Sequence, residues 1–252
     1  MRLELDTAIK MNWKRNYRIE LSPTLSGHWY KVHKIMPKGR EKFLGYYSSS
    51  TTILEAYPLS PFLVDWKVKQ GAEEADRILK QAGIRGTAVH SGIEMLLGGA
   101  ELHKESYSLD EFNRLESFTK WHKEYKPEII STEQRVFSEK YGYAGTLDVL
   151  CKIDGKMSIG DWKTSANIYP HFWLQIASYA QALEEMTDIK VEQTFVCQFG
   201  AKNKNGYRFV LSGEWKDHFA NFLAVKKTWE YDRGITKDFE PPILELPDTL
   251  KL

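Results

Sequence analysis

Cysteine is scarce in this 252-residue chain: only Cys151 and Cys197 occur, far apart and each within an apolar stretch. Two cysteines cannot ligate an iron–sulfur cluster or a cysteine-only zinc site, so no iron–sulfur cofactor is expected. Both read as buried reduced thiols of a cytosolic protein. Long apolar runs are missing too. None approaches the roughly 18–20 residues that a membrane span requires, so no membrane partner is expected. The opening residues Met1-Arg2-Leu3-Glu4-Leu5-Asp6 carry early acids and no apolar segment. They resemble neither a secretory signal nor a typical transit peptide, and the expected location is cytoplasmic. No internal repeat or low-complexity tract interrupts the chain. What remains is an ordinary globular balance, 42% hydrophobic and 27% charged, enough to bury one substantial core without a second domain.

The formal net charge of +1 is unevenly placed. Residues 1–47 hold ten Lys/Arg and four Asp/Glu, against 25 bases and 30 acids in the remainder. A basic arm on a mildly acidic body suits a protein that grips phosphates near a cation-binding centre; solvated lysines on a surface hairpin would leave the same count. Short β-prone runs at 17–21, 29–32 and 43–47 are separated by turn signals, so residues 1–50 are expected to form an antiparallel β extension. Helices are expected over about 62–82, from there to about Leu97 beyond breaks at Gly83 and Gly86, and over 109–125, 169–186 and 213–233. Strands are expected at 129–138, 144–153 and 156–162, the last two joined by an Asp154-Gly155 hairpin turn. Residues 191–199 and 207–211 read as a further hairpin across Asn203-Lys204-Asn205-Gly206. This order predicts an α/β unit over 51–252, with a mixed central β-sheet flanked by helices.

The chemistry concentrates in Gly145-Thr146-Leu147-Asp148 and Ile159-Gly160-Asp161-Trp162-Lys163. Strand side chains alternate, so Asp161 and Lys163 share a face and Trp162 takes the other. Pairing symmetrically about the Asp154-Gly155 turn sets Asp148 opposite about Asp161, so two carboxylates and an ammonium converge at one level. Acids so close repel unless a cation neutralises them, and Mg²⁺ does so with hard oxygen ligands. A bound divalent ion can activate water against a phosphodiester, while a lysine stabilises the charge that develops. A salt-bridge ladder on an edge strand is the alternative that spacing alone leaves open. Upstream, Gly86-Thr87-Ala88-Val89-His90 begins a helix, with Glu94 one turn beyond His90 on the same side.

Together these segments resemble the RecB-like branch of the PD-(D/E)XK nuclease superfamily, in particular phage exonucleases and the mitochondrial genome maintenance exonuclease. Five segments carry the resemblance in order. They are Thr51-Thr52-Ile53-Leu54, Gly86-Thr87-Ala88-Val89-His90, Glu133 in a strand, Gly142-Tyr143-Ala144-Gly145-Thr146-Leu147-Asp148, and Asp161-Trp162-Lys163-Thr164 followed by Gln175 and Tyr179. The resemblance covers about residues 48–200. It implies a restriction-endonuclease-like core and a Mg²⁺- or Mn²⁺-dependent deoxyribonuclease. It further implies that His90, Asp148 and Asp161 are metal ligands, that the Trp162 backbone carbonyl completes the shell, and that Lys163 is the catalytic lysine. Glu133, Gln175 and Tyr179 take accessory roles, the last two as the family's Gln-x-x-x-Tyr pair on one helix face. Mn²⁺ should replace Mg²⁺, because a mixed nitrogen and carboxylate shell suits it.

Enzymes with this motif set commonly act on DNA ends and single strands, in replication, recombination or repair, so DNA is the expected partner and a bacterial or phage-infected cell the expected setting. Any protein partner is unknown. Trp13, Tyr17, Trp29, Tyr30, Tyr46 and Tyr47 interleave with Lys14, Arg15, Arg18, Lys31 and Lys42, which provides stacking surfaces beside phosphate-binding cations; the same aromatics could simply form the core of the small sheet. No helix-turn-helix or zinc-finger spacing occurs, so backbone and end structure are expected to be read rather than base sequence. An exonuclease is the leading expectation. A structure-specific or nicking endonuclease on the same fold, and an inactive DNA-binding subunit, are the rivals. The inactive form predicts erosion at Asp148, Asp161 or Lys163, and all three are present.

Overall fold

The computed structural model describes residues 16–22, 24, 27–200, 202, 204–235, 239 and 241. Trp13, Lys14 and Arg15 of the basic arm, Asn203 of the expected hairpin loop and Pro242 lie outside these residues. The β-prone runs near the N-terminus form strands β1 (Tyr17–Ser22), β2 (Trp29–Ile35) and β3 (Glu41–Ser48). They pair antiparallel in the order β1-β2-β3. Trp29, Tyr30 and Val32 of this sheet are buried, packed in one core with residues of the later helices. Burial therefore claims Trp29 and Tyr30, and neither is free to stack on a nucleic-acid base.

Helix α1 (Ser50–Ile53) starts at Ser49, whose hydroxyl accepts the Thr52 N–H. Helix α2 (Pro61–Gln70) starts in the same way at Ser60, with Pro61 in its first position. Then comes α3 (Ala72–Leu97). Here the structure departs from the sequence expectation. The break falls at Gly71, whose φ of 80° and ψ of 154° suit glycine alone, while Gly83 and Gly86 stay helical within α3. His90 accordingly lies deep within a long helix rather than in its first turns. Glycine costs a helix only about 1 kcal/mol, which the rest of a 26-residue helix absorbs. Helix α4 (Leu109–Tyr125) follows, opened by a reciprocal Ser108–Glu111 capping box.

Strands β4 (Glu128–Ser138), β5 (Tyr143–Ile153) and β6 (Lys156–Lys163) are antiparallel neighbours. Asp154 and Gly155, with φ of 52° and 76°, make the tight turn between β5 and β6 that the Asp-Gly pair predicts. Helix α5 (Pro170–Met186) carries the chain to β7 (Gln193–Phe199), parallel to β6. Strand β8 (Tyr207–Ser212) pairs antiparallel with β7, and α6 (Trp215–Arg233) closes the described fold. The result is an α/β protein with a mixed five-stranded sheet ordered β4-β5-β6-β7-β8 and a three-stranded antiparallel sheet.

Each face of the larger sheet has its own core. On one side, Leu174, Ala177, Ala180 and Leu183 of α5 and Phe219 and Phe222 of α6 pack with Leu150, Ile159 and Val196. On the other, Val89 and Ile93 of α3 and Leu115, Phe118 and Trp121 of α4 pack with Val149, Cys151, Trp162, Phe195 and Cys197. Both cysteines are buried free thiols, and burial pushes the Cys151 thiol up to about 12. No described helix is long and apolar enough to cross a membrane.

Candidate metal-dependent active site

β5 and β6 stay in register from Ile153↔Lys156 to Val149↔Gly160, and the pairing ends there. One further step of the same register would set Asp148 opposite Asp161, the level the symmetric turn predicts, but the ladder does not reach it. Instead of a backbone partner, the Trp162 N–H meets the Asp148 carboxylate and donates to its Oδ2 at 2.7 Å. On the other side of β5, the ladder steps from Thr132↔Val149 to Gln134↔Leu147, which leaves Glu133 level with Asp148 between two rungs. Glu133 takes a left-handed φ of 48°, a conformation that costs a non-glycine residue about 1 kcal/mol or more.

At this same level β5 changes which way its side chains face. A Cβ on Gly145 would strike the Tyr179 ring of α5, whereas Val149 and Cys151 pack with α3 and α4. Residues of equal parity thus lie on opposite faces on either side of Asp148. Simple alternation does not predict this; a local break in the ladder re-aims side chains in this way.

His90 reaches the same point from α3. Its Nε2 lies 2.9 Å from the Trp162 carbonyl oxygen. A carbonyl only accepts, so Nε2 carries the proton and the lone pair of the neutral ring sits on Nδ1, 3.8 Å from Asp148 Oδ2. One donor atom each from His90, Glu133 and Asp148 lies within 4.8 Å of the others. Two ligands held about 2.1 Å from one ion can be up to about 4.2 Å apart, so a small inward movement would let all three share a cation. The Trp162 carbonyl that the resemblance assigns to the metal here accepts from His90.

Asp161 and Lys163 occupy the α5 side of β6, and Trp162 packs on the opposite side. Lys163 Nζ is 2.6 Å from Asp161 Oδ2, an ion pair that engages this buried oxygen. Gln175 spans the pair. Its Nε2 donates to Asp161 Oδ1 at 3.0 Å and to the Tyr179 hydroxyl at 3.1 Å, and its Oε1 accepts from Lys163 Nζ at 3.2 Å. Lys163 Nζ also sits 4.5 Å from the centre of the Phe172 ring, within cation–π range. The one-turn spacing of Gln175 and Tyr179 thus places both beside the acid–lysine pair.

The electrostatics are crowded. Although Glu133 is exposed, its carboxyl is pushed up to about 7, first by surrounding protein that displaces part of its water and then by Asp148, with Glu94 and Asp161 adding to the push and His90 opposing it. Burial raises the Asp161 carboxyl above the usual range against the pull of Lys163, and Asp148 raises it further. A divalent cation would relieve both. An imidazole nitrogen with carboxylate oxygens suits a divalent cation; the donor atoms that gather are those of His90, Glu133 and Asp148, and Asp161, paired with Lys163, stands beside that group rather than within it.

Glu94 and Thr132 also line the cleft with His90, Glu133 and Asp148. The helical spacing from His90 points to Glu94, but nothing in the sequence points to Thr132. Arg114 of α4 also escapes sequence reading: it donates to the Thr164 carbonyl at 2.9 Å and so ties down the chain leaving Lys163. Its guanidinium needs the bare Cα of Gly200, where a Cβ would come within 2.4 Å.

No protein-family model matches this chain, and no curated protein matches it. Among solved structures, the crystal structure of SSO0001 is similar at 13% identity and a TM-score of 0.40, covering 74% of this chain and 75% of that one. The crystal structure of LHK-Exo in complex with dAMP is similar at 10% identity and a TM-score of 0.34, covering 75% of this chain and 92% of that one. Both likenesses are loose, and the functional reading stands on the site's own residues.

Proposed function

We propose that this chain is a Mg²⁺- or Mn²⁺-dependent deoxyribonuclease of the PD-(D/E)XK, RecB-like type, acting as an exonuclease on single-stranded DNA or DNA ends. Residues 51–252 would be the nuclease domain and residues 1–50 its β extension. One observation supports this above the rest. A ligand cluster of His90, Glu133 and Asp148 adjoins a buried Asp161–Lys163 pair held by Gln175, where the pairing of two neighbouring strands ends. A surface salt-bridge ladder, the alternative that spacing left open, has no reason to be buried or to carry a histidine and a strained glutamate beside it.

In this reading His90, Asp148 and Asp161 hold the ion, with Glu133 and the Trp162 carbonyl at its border. Bound there, a divalent cation would polarise a phosphodiester oxygen and lower the pKa of a water. The remaining work belongs to the chain. Lys163, fixed by Asp161, Gln175 and Phe172, offers its ammonium to the charge that develops on the phosphate or on the attacking oxygen. Gln175 keeps the lysine and the aspartate in one geometry, and Tyr179 in turn holds Gln175. His90 presents Nδ1 because its Nε2–H is held by the Trp162 carbonyl, the usual way a protein fixes the tautomer of a metal-binding histidine.

End-labelled single strands, duplexes and circles incubated with Mg²⁺ or Mn²⁺ test the proposal. The expected result is shortening of linear strands from an end, intact circles, and a loss of about 10²–10³-fold in rate for Lys163→Ala. Cleavage of circles would make the protein an endonuclease on the same site. Equal activity in wild type and Lys163→Ala would remove the site assignment.

A further inference from the structure

Next to the acid–lysine pair lies a group of aromatic rings of which the proposed hydrolysis uses only Phe172. Phe172, under the Lys163 ammonium, is buried. It meets the His171 ring edge-on at 4.6 Å and the Tyr169 ring at 5.5 Å. Tyr169 and His171 lie within 6° of parallel, 5.8 Å apart. Tyr57, from the segment before α2, closes on His171 at 5.7 Å. Tyr57, Tyr169 and His171 are all partly exposed.

The sequence explains why the rings project here. Pro170 occupies the first position of α5, and Tyr169 before it is extended, with φ −101° and ψ 150°, as a residue preceding proline prefers. That junction sets Tyr169 and His171 side by side at the helix start. Burial and the nearby Lys163 charge both lower the His171 pKa, which favours a neutral, stackable ring. The first turn of α5 carries no acid to repel a phosphate.

We propose that Tyr57, Tyr169 and His171 form a stacking subsite for an unpaired DNA base adjoining the phosphate at Lys163. The inference rests on the nuclease reading and narrows its substrate class to single-stranded DNA or a frayed end. A base inside a duplex already stacks on its neighbours and gains little from this shelf, whereas an unpaired base exposes its π-faces. Stacking of this kind tolerates any base, which fits a protein without a base-reading motif. Phe172 is the floor that ties the shelf to the lysine; the base itself would meet the three partly exposed rings.

The test uses the full chain and a fluorescein-labelled single-stranded oligonucleotide in EDTA, where binding is read by anisotropy without hydrolysis. Tyr169→Ala, Tyr169→Phe and Tyr57→Ala are compared with wild type, on the base-bearing strand and on the same strand with abasic sugars at the labelled end. The expected result is about tenfold weaker binding of the base-bearing strand by each alanine variant, recovery in Tyr169→Phe, and no difference among the proteins on the abasic strand. Thermal melts identify any variant that has lost its fold, and for such a variant Tyr169→Leu, which keeps apolar volume without a π-face, takes its place. Equal affinity of wild type and the alanine or leucine variants for the base-bearing strand overturns the subsite, and so does an equal loss on the abasic strand. Hydrolysis in Mn²⁺ reads the nuclease proposal separately. A wild type that cleaves DNA while the alanine variants bind like it loses only the subsite. A wild type that cleaves no DNA overturns the nuclease reading and, with it, the assignment of this shelf to a substrate base.

Discussion

At Asp161, burial and charge pull in opposite directions. The side chain is 1% exposed, and its charge is tolerated because Lys163 stands beside it. Removing one partner of a buried pair typically costs about 3–5 kcal/mol, because the other charge is left alone. Lys163→Ala should therefore melt well below wild type at pH 8 and by a smaller margin at pH 5, where Asp161 can take up a proton instead. Equal deficits at the two pH values would contradict this account of the pair. Glu133 has a related sign. Its folded-state carboxyl is pushed up to about 7 from the usual 4.5 of a glutamate, so between those values the folded protein binds more protons than the unfolded chain. Stability of the metal-free protein then falls as pH rises through that window. In chelator, Glu133→Gln should melt about 2 °C above wild type at pH 8, a small gain because Glu133 is open to solvent. The two proteins should melt together at about pH 4. A gain that persists in acid would point to packing rather than charge.

Among the elements, β5 decides most. It brings Gly145 against Tyr179 and then, three residues later, turns Asp148 toward His90 and the Trp162 N–H. A methyl group at Gly145 would come within 2.4 Å of Tyr179 Cε1, so the ring and α5 must move. Gly145→Ala should cost about 1–3 kcal/mol of stability. It should also reduce the rate, because Tyr179 holds Gln175 and Gln175 holds Lys163. A stable, fully active Gly145→Ala protein would mean that the Tyr179–Gln175 contact does not position the lysine. The elements themselves were largely legible. The apolar period of three to four in 109–125 and 169–186 and the Asp154-Gly155 turn correspond to α4, α5 and the β5–β6 hairpin. The sequence misplaces the helix break because glycine is locally ambiguous: Gly71, Gly83 and Gly86 look alike in sequence, and of the three only Gly71 leaves the helical region.

For the whole molecule, the site depends on both layers that cover the sheet. α3 supplies His90 from one face, and α5 supplies Gln175 and Tyr179 from the other. They meet where β5 and β6 cease to pair. A cation bound there would tie the layers together. Mg²⁺ or Mn²⁺ at about 100 times its dissociation constant should stabilise wild type by about 2.7 kcal/mol, seen as a concentration-dependent rise in melting temperature. Asp148→Asn should lose most of that rise, since Asp148 is one of the three groups whose donor atoms gather there, with His90 and Glu133. An undiminished rise in Asp148→Asn would move the ion elsewhere.

The sequence by itself determined the strand and helix order, the tight turn, and the sharing of one face by Asp161 and Lys163, because these follow from residue periodicity and local backbone preference. It also pointed to Asp148 at the level of Asp161 by counting back from that turn. Only the tertiary structure decided which nitrogen of His90 is left to bind, that Glu133 is strained and level with Asp148, and that Gln175 joins the acid to the lysine. Those features depend on where strand pairing stops and on how α3 and α5 approach the gap. They arise from packing between segments as far as 72 residues apart in sequence, and no local pattern of residues encodes them.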